Sequence, residues 1–413
     1  MSELHLKQKK LLYLTAEQWP TFRPDVVALF GKYLPRNGIA SDLVTERDLA
    51  APNDIDLAWA GGRTILCRVP KSRAGQYLAK FWHNLRTIIA ADSNEYDAIQ
   101  VRDMTLTALV GLVAARSKGI RFFYWLSYPQ SEGQIARAKA RGLKGGLKFW
   151  FPLVQGTFGK WLLYRIVLPR ADHVFVQSRQ MQTDVAVHGI PMSSMTPVPM
   201  GVDTELASPG DVKPVEDERF RGKRVVVYLG TLDPLRQIEI LLKMVGEVRE
   251  SIPEILLVLV GDTGDTAHRE WLKQEAVRLG VADLVIWTGW LETSIAWRYA
   301  CAAEVGLSPI PRGYLLDMGS PTKAVEYMAL GLPVLVNDNP DQAQVVKESG
   351  AGICSPLNPQ AFANALVHLL SNEGLRQGMG SEGRQYVRRA RAYDRLALDL
   401  ATKYQDLMSP AHA

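Results

Sequence analysis

The chain has 413 residues, 47% hydrophobic and 22% charged, with a formal net charge of +5. That balance excludes a disordered or fibrous chain, and the length exceeds one ordinary core, so two domains are expected. So modest a charge does not imply uniform affinity for nucleic acid, and no apolar run reaches the roughly 18 residues a membrane-spanning helix needs.

The start of the chain is polar and basic with no cleavable apolar core behind it, so a protein that stays in the cytoplasm is expected. Cys67, Cys301 and Cys354 stand far apart and suggest neither a disulfide framework nor a zinc site.

The first half alternates between strand and helix. Lys10 to Thr15 reads as a strand, Asp25 to Asn37 as a helix and Ser41 to Thr45 as a second strand. Strands at Tyr96 to Arg102 and Arg121 to Trp125 flank a helical run from Thr105 to Lys118. A strand at Asp172 to Ser178, a helix at Arg179 to His188 and the line Met195 to Asp203 follow. This alternation implies parallel strands with crossover helices.

Residues 134–170 carry no acidic residue and mix Arg137, Lys139, Arg141, Lys144, Lys148, Lys160, Arg165 and Arg170 with Phe149, Trp150, Phe151, Phe158, Trp161 and Tyr164. Cations for anionic headgroups and rings for the acyl boundary are what an interfacial segment needs. A solvated helix followed by a core helix is the other arrangement this stretch allows. No recognisable RNA- or DNA-binding motif occurs.

The polar, Pro-containing stretch 207–223 reads as a linker, dividing an amino-terminal domain (1–206) from a second domain (224–384). A new alternating series begins there: strand Val225 to Leu229, helix Gln237 to Glu250, strand Glu254 to Val260, helix His268 to Leu279 and strand Leu284 to Trp287. Helix Thr293 to Ala302 and strand Glu304 to Ser308 come next, then two more strand segments at Val334 to Asn337 and Gly352 to Ser355. The fold class expected is α/β, two doubly wound Rossmann-like domains whose strand ends face each other across a cleft.

After the strand Glu304 to Ser308, and running into the strand that starts at Val334, lies the most informative segment, Ser320 to Val336. Ser320 is a preferred N-cap, Pro321 suits the first helical position and Gly331 with Pro333 supplies a stop, which predicts a helix over Pro321 to Leu330. Its first N–H groups near Thr322 and Lys323, the positive end of its dipole and the Lys323 ammonium would converge on a phosphate. Glu326 lies nearly one turn further on the same face. An ordinary capped amphipathic helix has the same outline.

This segment resembles the donor-binding helix of family 4 glycosyltransferases, retaining sugar transferases of the GT-B fold. The resemblance continues through Ala171 to Ser178, Val198 to Asp203, Tyr228-Leu-Gly-Thr231 and Trp287-Thr-Gly289. It implies that Glu326 holds ribose hydroxyls, that backbone near Gly230, Thr231, Ser320 and Thr322 cradles a diphosphate, and that the base sits near Leu291. A carboxyl-terminal helix at 385–413, continuous from Gln385 to Leu407, would cross back to the first domain.

The sequence departs from the family pattern in three respects. The first of the family's paired glutamates falls at Met318, with Asp317 beside it. The usual arginine and lysine after Gly230 fall at Thr231 and Gln237, which leaves Arg236 as the displaced cation. The loop after the first strand, Glu17 to Pro24, has no glycine, so Trp19 and Phe22 could form an acceptor wall or pack in the core.

The function implied is sugar transfer, with retention, from a UDP- or GDP-sugar to a lipid-linked glycan in surface polysaccharide or lipopolysaccharide synthesis. Lys323, Arg236 and Glu326 would be its catalytic groups, with no cofactor and no metal. Ser127 and Tyr128 are possible sugar or acceptor contacts; Glu132 is a weaker candidate. Residues 134–170 would meet the inner face of the cell membrane, making the protein peripheral there. The alternative is a non-catalytic GT-B subunit that binds a sugar nucleotide or a partner transferase.

Overall fold

The computed structural model describes residues 8–21, 23–48, 58–68, 73–142, 146–207, 210 and 212–409. Phe22, Lys144 and positions 208, 209 and 211 of the polar stretch 207–223 lie outside the described residues. The chain forms two compact units, Met1–Pro199 together with Tyr393–Ala413, and Met200–Ala392. The stretch 207–223 therefore falls inside the second unit.

In the first unit the described strands are β1 (Lys9–Trp19), β2 (Ile39–Arg47), β3 (Thr64–Cys67), β4 (Ala98–Arg102), β5 (Arg121–Leu126), β6 (His173–Val176) and β7 (Met195–Pro197). They form a parallel sheet in the order β3-β2-β1-β4-β5-β6-β7, whose winding reverses between β1 and β4. One face, carrying Tyr13, Phe123 and Trp125, packs under the helical segment Asp25–Tyr33 and the helix Tyr393–Met408. The other face presents Ile99, Val101 and Phe122 to the helix Thr105–Lys118. Beside that helix stand the helix Arg73–Ala90 and the helical pair Gln130–Arg141 and Leu147–Leu162.

Two expected helices differ in detail. Asp25–Tyr33 is wound more widely than an α-helix, with the Leu34 N–H reaching back five residues to the Leu29 carbonyl. The stretch from Gln385 to Leu407 is not continuous either. One helix, Glu373–Tyr386, passes into a wide turn, Val387–Arg391, and Ala392 is extended and bridges to Val202 before the helix Tyr393–Met408 begins. A backbone bond from Val202 N–H to the Arg391 carbonyl (2.9 Å) competes with the helical ladder there and wins.

In the second unit the described strands are β8 (Arg224–Leu229), β9 (Ile255–Val260), β10 (Val285–Gly289), β11 (Val305–Ser308), β12 (Val334–Val336) and β13 (Gly352–Cys354). All are parallel, in the order β10-β9-β8-β11-β12-β13, and the winding reverses between β8 and β11. Val225, Val227 and Leu229 enter one core while Val226 and Tyr228 enter the other, which explains the uninterrupted apolar run of this strand. Both units are thus doubly wound α/β structures, as the alternation in sequence implies.

The helix carrying the phosphate-binding signature spans Thr322–Ala329 and is fastened beneath β8 by Tyr327. The Leu229 N–H donates to the buried Tyr327 hydroxyl at 2.7 Å. The ring lies so close to β11 that a Cβ on Gly306 would sit 2.3 Å from Tyr327 Cγ. Replacing Tyr327 by Phe leaves the Leu229 N–H buried without a partner and should cost about 1–3 kcal/mol of unfolding free energy, measured by urea denaturation.

Candidate functional site

In doubly wound sheets ligands gather at the carboxyl ends of the strands where the winding reverses, here the ends of β8 and β11. β8 runs into Gly230, whose φ of 142° is strained for any other residue. A Cβ at Gly230 would lie 2.6 Å from Lys323 Cε, so the lysine stem can cross the end of β8 only because this residue is glycine. The ammonium ends 5.3 Å from the centroid of the Tyr228 ring.

Burial, reinforced by the nearby Arg236 charge, pushes Lys323 down to about 7, while Glu326 pulls the other way. Burial raises Glu326 above the usual carboxylate range, against Lys323 and the Thr322 hydroxyl bonded to it. Arg236 closes the short turn Pro234–Arg236 and is partly buried; Gln237 after it is left-handed at φ 51°. Two cations that repel each other in the free protein are what a bound anion would relieve.

Gly230, Arg236, Thr322, Lys323 and Glu326 are therefore gathered at one strand end. Thr231 follows Gly230, and its carbonyl accepts the Tyr228 hydroxyl at 3.0 Å. Leu291 lies just past the end of β10, two strand spacings from β8, or roughly 10 Å across the sheet. The Gly261 N–H donates to the Gly289 carbonyl at 3.1 Å and ties these strand ends together.

Ser320 does not cap the helix; Pro321 occupies the cap position, and no side chain caps it. The Ser320 hydroxyl instead accepts from Met200 N–H (2.9 Å), donates to Asp341 (2.8 Å) and receives Arg391 (3.2 Å). Arg391 and Asp341 form a buried ion pair at 2.8 Å, so the tertiary network outcompetes a local cap and the helix amides keep no side-chain partner.

At the departure position, Met318 is wholly buried at 0% exposure. The neighbouring Asp317 carboxylate is engaged by Arg312 at 2.9 Å, and Arg312 also pairs with Asp338 at 2.8 Å. Among the described residues no group of three or more His, Cys, Asp or Glu side chains is placed to hold a metal.

In the first unit, Ser127 and Tyr128 converge on a residue the sequence reading overlooks. Asp103, at the end of β4 with φ 57°, accepts from the Ser127 N–H (2.8 Å), the Ser127 hydroxyl and the Tyr128 N–H (3.3 Å). Burial raises its carboxyl, opposed by Arg102 and by these donors. An acidic residue directly after a strand was the available signal. Trp19 is buried and meets Trp59 edge-on at 5.1 Å. Glu132 is also buried, with Lys160 at 3.6 Å.

Family models match most of this architecture: "Glycosyl transferases group 1" over residues 223–372 and "Glycosyl transferase 4-like domain" over residues 24–201. The chain belongs to the group 1, family 4 glycosyltransferases of the GT-B fold. A curated relative from Mycobacterium tuberculosis, GDP-mannose-dependent alpha-(1-6)-phosphatidylinositol monomannoside mannosyltransferase, is 29% identical over 217 residues, 51% of this chain and 56% of its own length. The chain thus matches little more than half the length of that relative.

Among solved structures, sucrose-phosphate synthase from Thermosynechococcus elongatus superposes with a TM-score of 0.72 at 20% identity, covering 97% of this chain and 99% of that one. Anabaena HepE in complex with UDP and glucose gives 0.69 at 18% identity, covering 96% and 100%.

If a diphosphate sits against Lys323, binding should draw a proton onto the amine. Protonated Lys323 falls from half to about a tenth of the free protein between pH 7 and 8, so nucleotide affinity should weaken about fivefold over that interval. Calorimetry at pH 7.5 in buffers of different ionisation enthalpy should report proton uptake, which Lys323→Met should abolish.

Proposed function

We propose that the protein transfers a sugar, with retention and without a metal, from a UDP- or GDP-sugar to a lipid-linked glycan in surface polysaccharide or lipopolysaccharide assembly. The observation that carries this reading is Lys323 lying across Gly230 beside Arg236, one helical turn from Glu326. Breaking a glycosyl phosphate bond leaves negative charge on the departing diphosphate, and preorganised cations and helix amides stabilise it most where water is excluded. Protonated Lys323 and Arg236 take that role, and Glu326 holds the ribose. The matched relatives support the donor class, since one is named for GDP-mannose and another was solved with UDP and glucose.

Support for a lipid acceptor comes from the helix Leu147–Leu162. Trp150, Phe151, Val154, Phe158 and Trp161 are all exposed along it, Phe151 at 69%, in a region without a carboxylate. That surface suits docking at the inner face of the cell membrane, and the M. tuberculosis relative is named for a phosphatidylinositol-linked acceptor. Met318 in the position of a sugar-contacting glutamate favours the second reading, a non-catalytic subunit that binds a sugar nucleotide or a partner transferase.

Donor turnover separates the two. With UDP- and GDP-sugars, slow hydrolysis should be insensitive to EDTA, release the sugar with the donor's anomeric configuration by NMR, and fall about 100-fold in Lys323→Ala. Binding without turnover would favour the non-catalytic subunit. Inversion would overturn retention, and loss of activity in EDTA would overturn metal independence.

A further inference from the structure

The helix Leu147–Leu162 is not the only exposed apolar element on its side of the first sheet. The helix Arg73–Ala90, absent from the sequence reading, exposes Tyr77 at 76%, with Leu78, Trp82 and Ile89 also open to solvent. Leu78, Trp82 and Ile89 are spaced four and seven residues apart and share one helical face. The helix Thr105–Lys118 packs between Arg73–Ala90 and the helical pair, and it exposes Leu106 and Val113 seven residues apart. A single exposed apolar residue needs no explanation, but solvent-facing apolar rows on three neighbouring helices are the kind of surface that marks an interaction site.

Charge says what covers them. None of these three helices contains an aspartate or glutamate, while each contains lysine or arginine. Arg86 and Lys148 are exposed among the apolar side chains, while Arg116, also exposed, is engaged by Asp172 at 3.2 Å. Tyr77 and Trp82 have polar-tipped rings of the kind that settle at the boundary between headgroups and acyl chains. Helices that carry cations and no carboxylate of their own fit an anionic surface, although Lys80, Arg116 and Lys160 also meet Glu46, Asp172 and Glu132 of neighbouring elements. Shallow anchors spread over several helices suit lipid, where one weak anchor gives only marginal, reversible attachment.

We propose that the helices 73–90 and 105–118 extend the docking face of helix 147–162, so that an anionic bilayer is met by three helices of the first unit together. This inference rests on the proposed membrane docking of helix 147–162 and adds two elements to it. Its consequence is that the lipid-facing surface includes the helix after β3 as well as the helical pair after β5.

The test is co-sedimentation of the full chain with phosphatidylcholine vesicles, with and without phosphatidylglycerol. Three proteins are compared: wild type, Tyr77→Ser with Trp82→Ser, and Trp150→Ser with Phe158→Ser. Wild type should bind only the anionic vesicles, and each double variant should bind about tenfold more weakly or worse. The urea-unfolding midpoint and far-ultraviolet circular dichroism of both variants should match wild type, which establishes that the first unit, where the substitutions lie, is folded. Wild-type-like binding by the Tyr77/Trp82 variant, with loss only in the Trp150/Phe158 variant, would overturn this inference and leave the original docking reading intact. No vesicle binding by wild type would overturn both and point to a protein partner.

Discussion

The proposed donor site depends on one close approach, the Lys323 side chain crossing the backbone of Gly230. A lysine amine brought next to a second cation in a partly enclosed strand end is unfavourable in the absence of an anion. The fold holds it there by means that have nothing to do with the charge. Tyr327, one turn along the same helix, is wedged against Gly306 and bonded to the β8 backbone, which fixes the helix and therefore where Lys323 can reach. The Ser320, Asp341 and Arg391 network anchors the residue just before the helix. The corner proposed to seat a phosphate is thus held in place by packing and hydrogen bonds of the fold itself, and the proposed ligand would supply the missing negative charge.

Much of the fold is legible in the sequence because burial on both faces of a parallel sheet leaves short uninterrupted apolar runs such as Val225 to Leu229. The helix at Thr105 to Lys118 is equally plain, since Gly119 stops it in a left-handed conformation. Other elements are hidden for identifiable reasons. β3 is a four-residue edge strand, Thr64–Cys67, with too little length for a pattern. The helix after it, Arg73–Ala90, is by contrast clearly amphipathic, and its period was open to reading although it also exposes Tyr77, Leu78 and Trp82. The break at Ala392 involves neither Gly nor Pro and is imposed by a backbone bond from a segment nearly 200 positions earlier.

The candidate site shows the same division. Residue types in one helix were enough to single out Lys323 and Glu326, because a helix start with a cation and a carboxylate one turn on is a local pattern. Ser320 has the side chain of an N-cap, but its hydroxyl is claimed by Met200, Asp341 and Arg391, partners that no local rule can foresee. Asp103 escapes the reading for the converse reason. Its importance lies in accepting hydrogen bonds from Ser127 and Tyr128, contributed by the next strand, and only the folded sheet brings the two ends together.

The most direct measurement is a calorimetric titration of UDP, GDP and ADP into the wild-type protein and Glu326→Ala. One nucleotide should bind selectively, and the substitution should weaken it by roughly 1.5–3 kcal/mol, the worth of a hydrogen bond to a charged group. Binding of none of the three, or binding indifferent to Glu326, would contradict the proposed donor site and leave the helix Thr322–Ala329 as a structural element only.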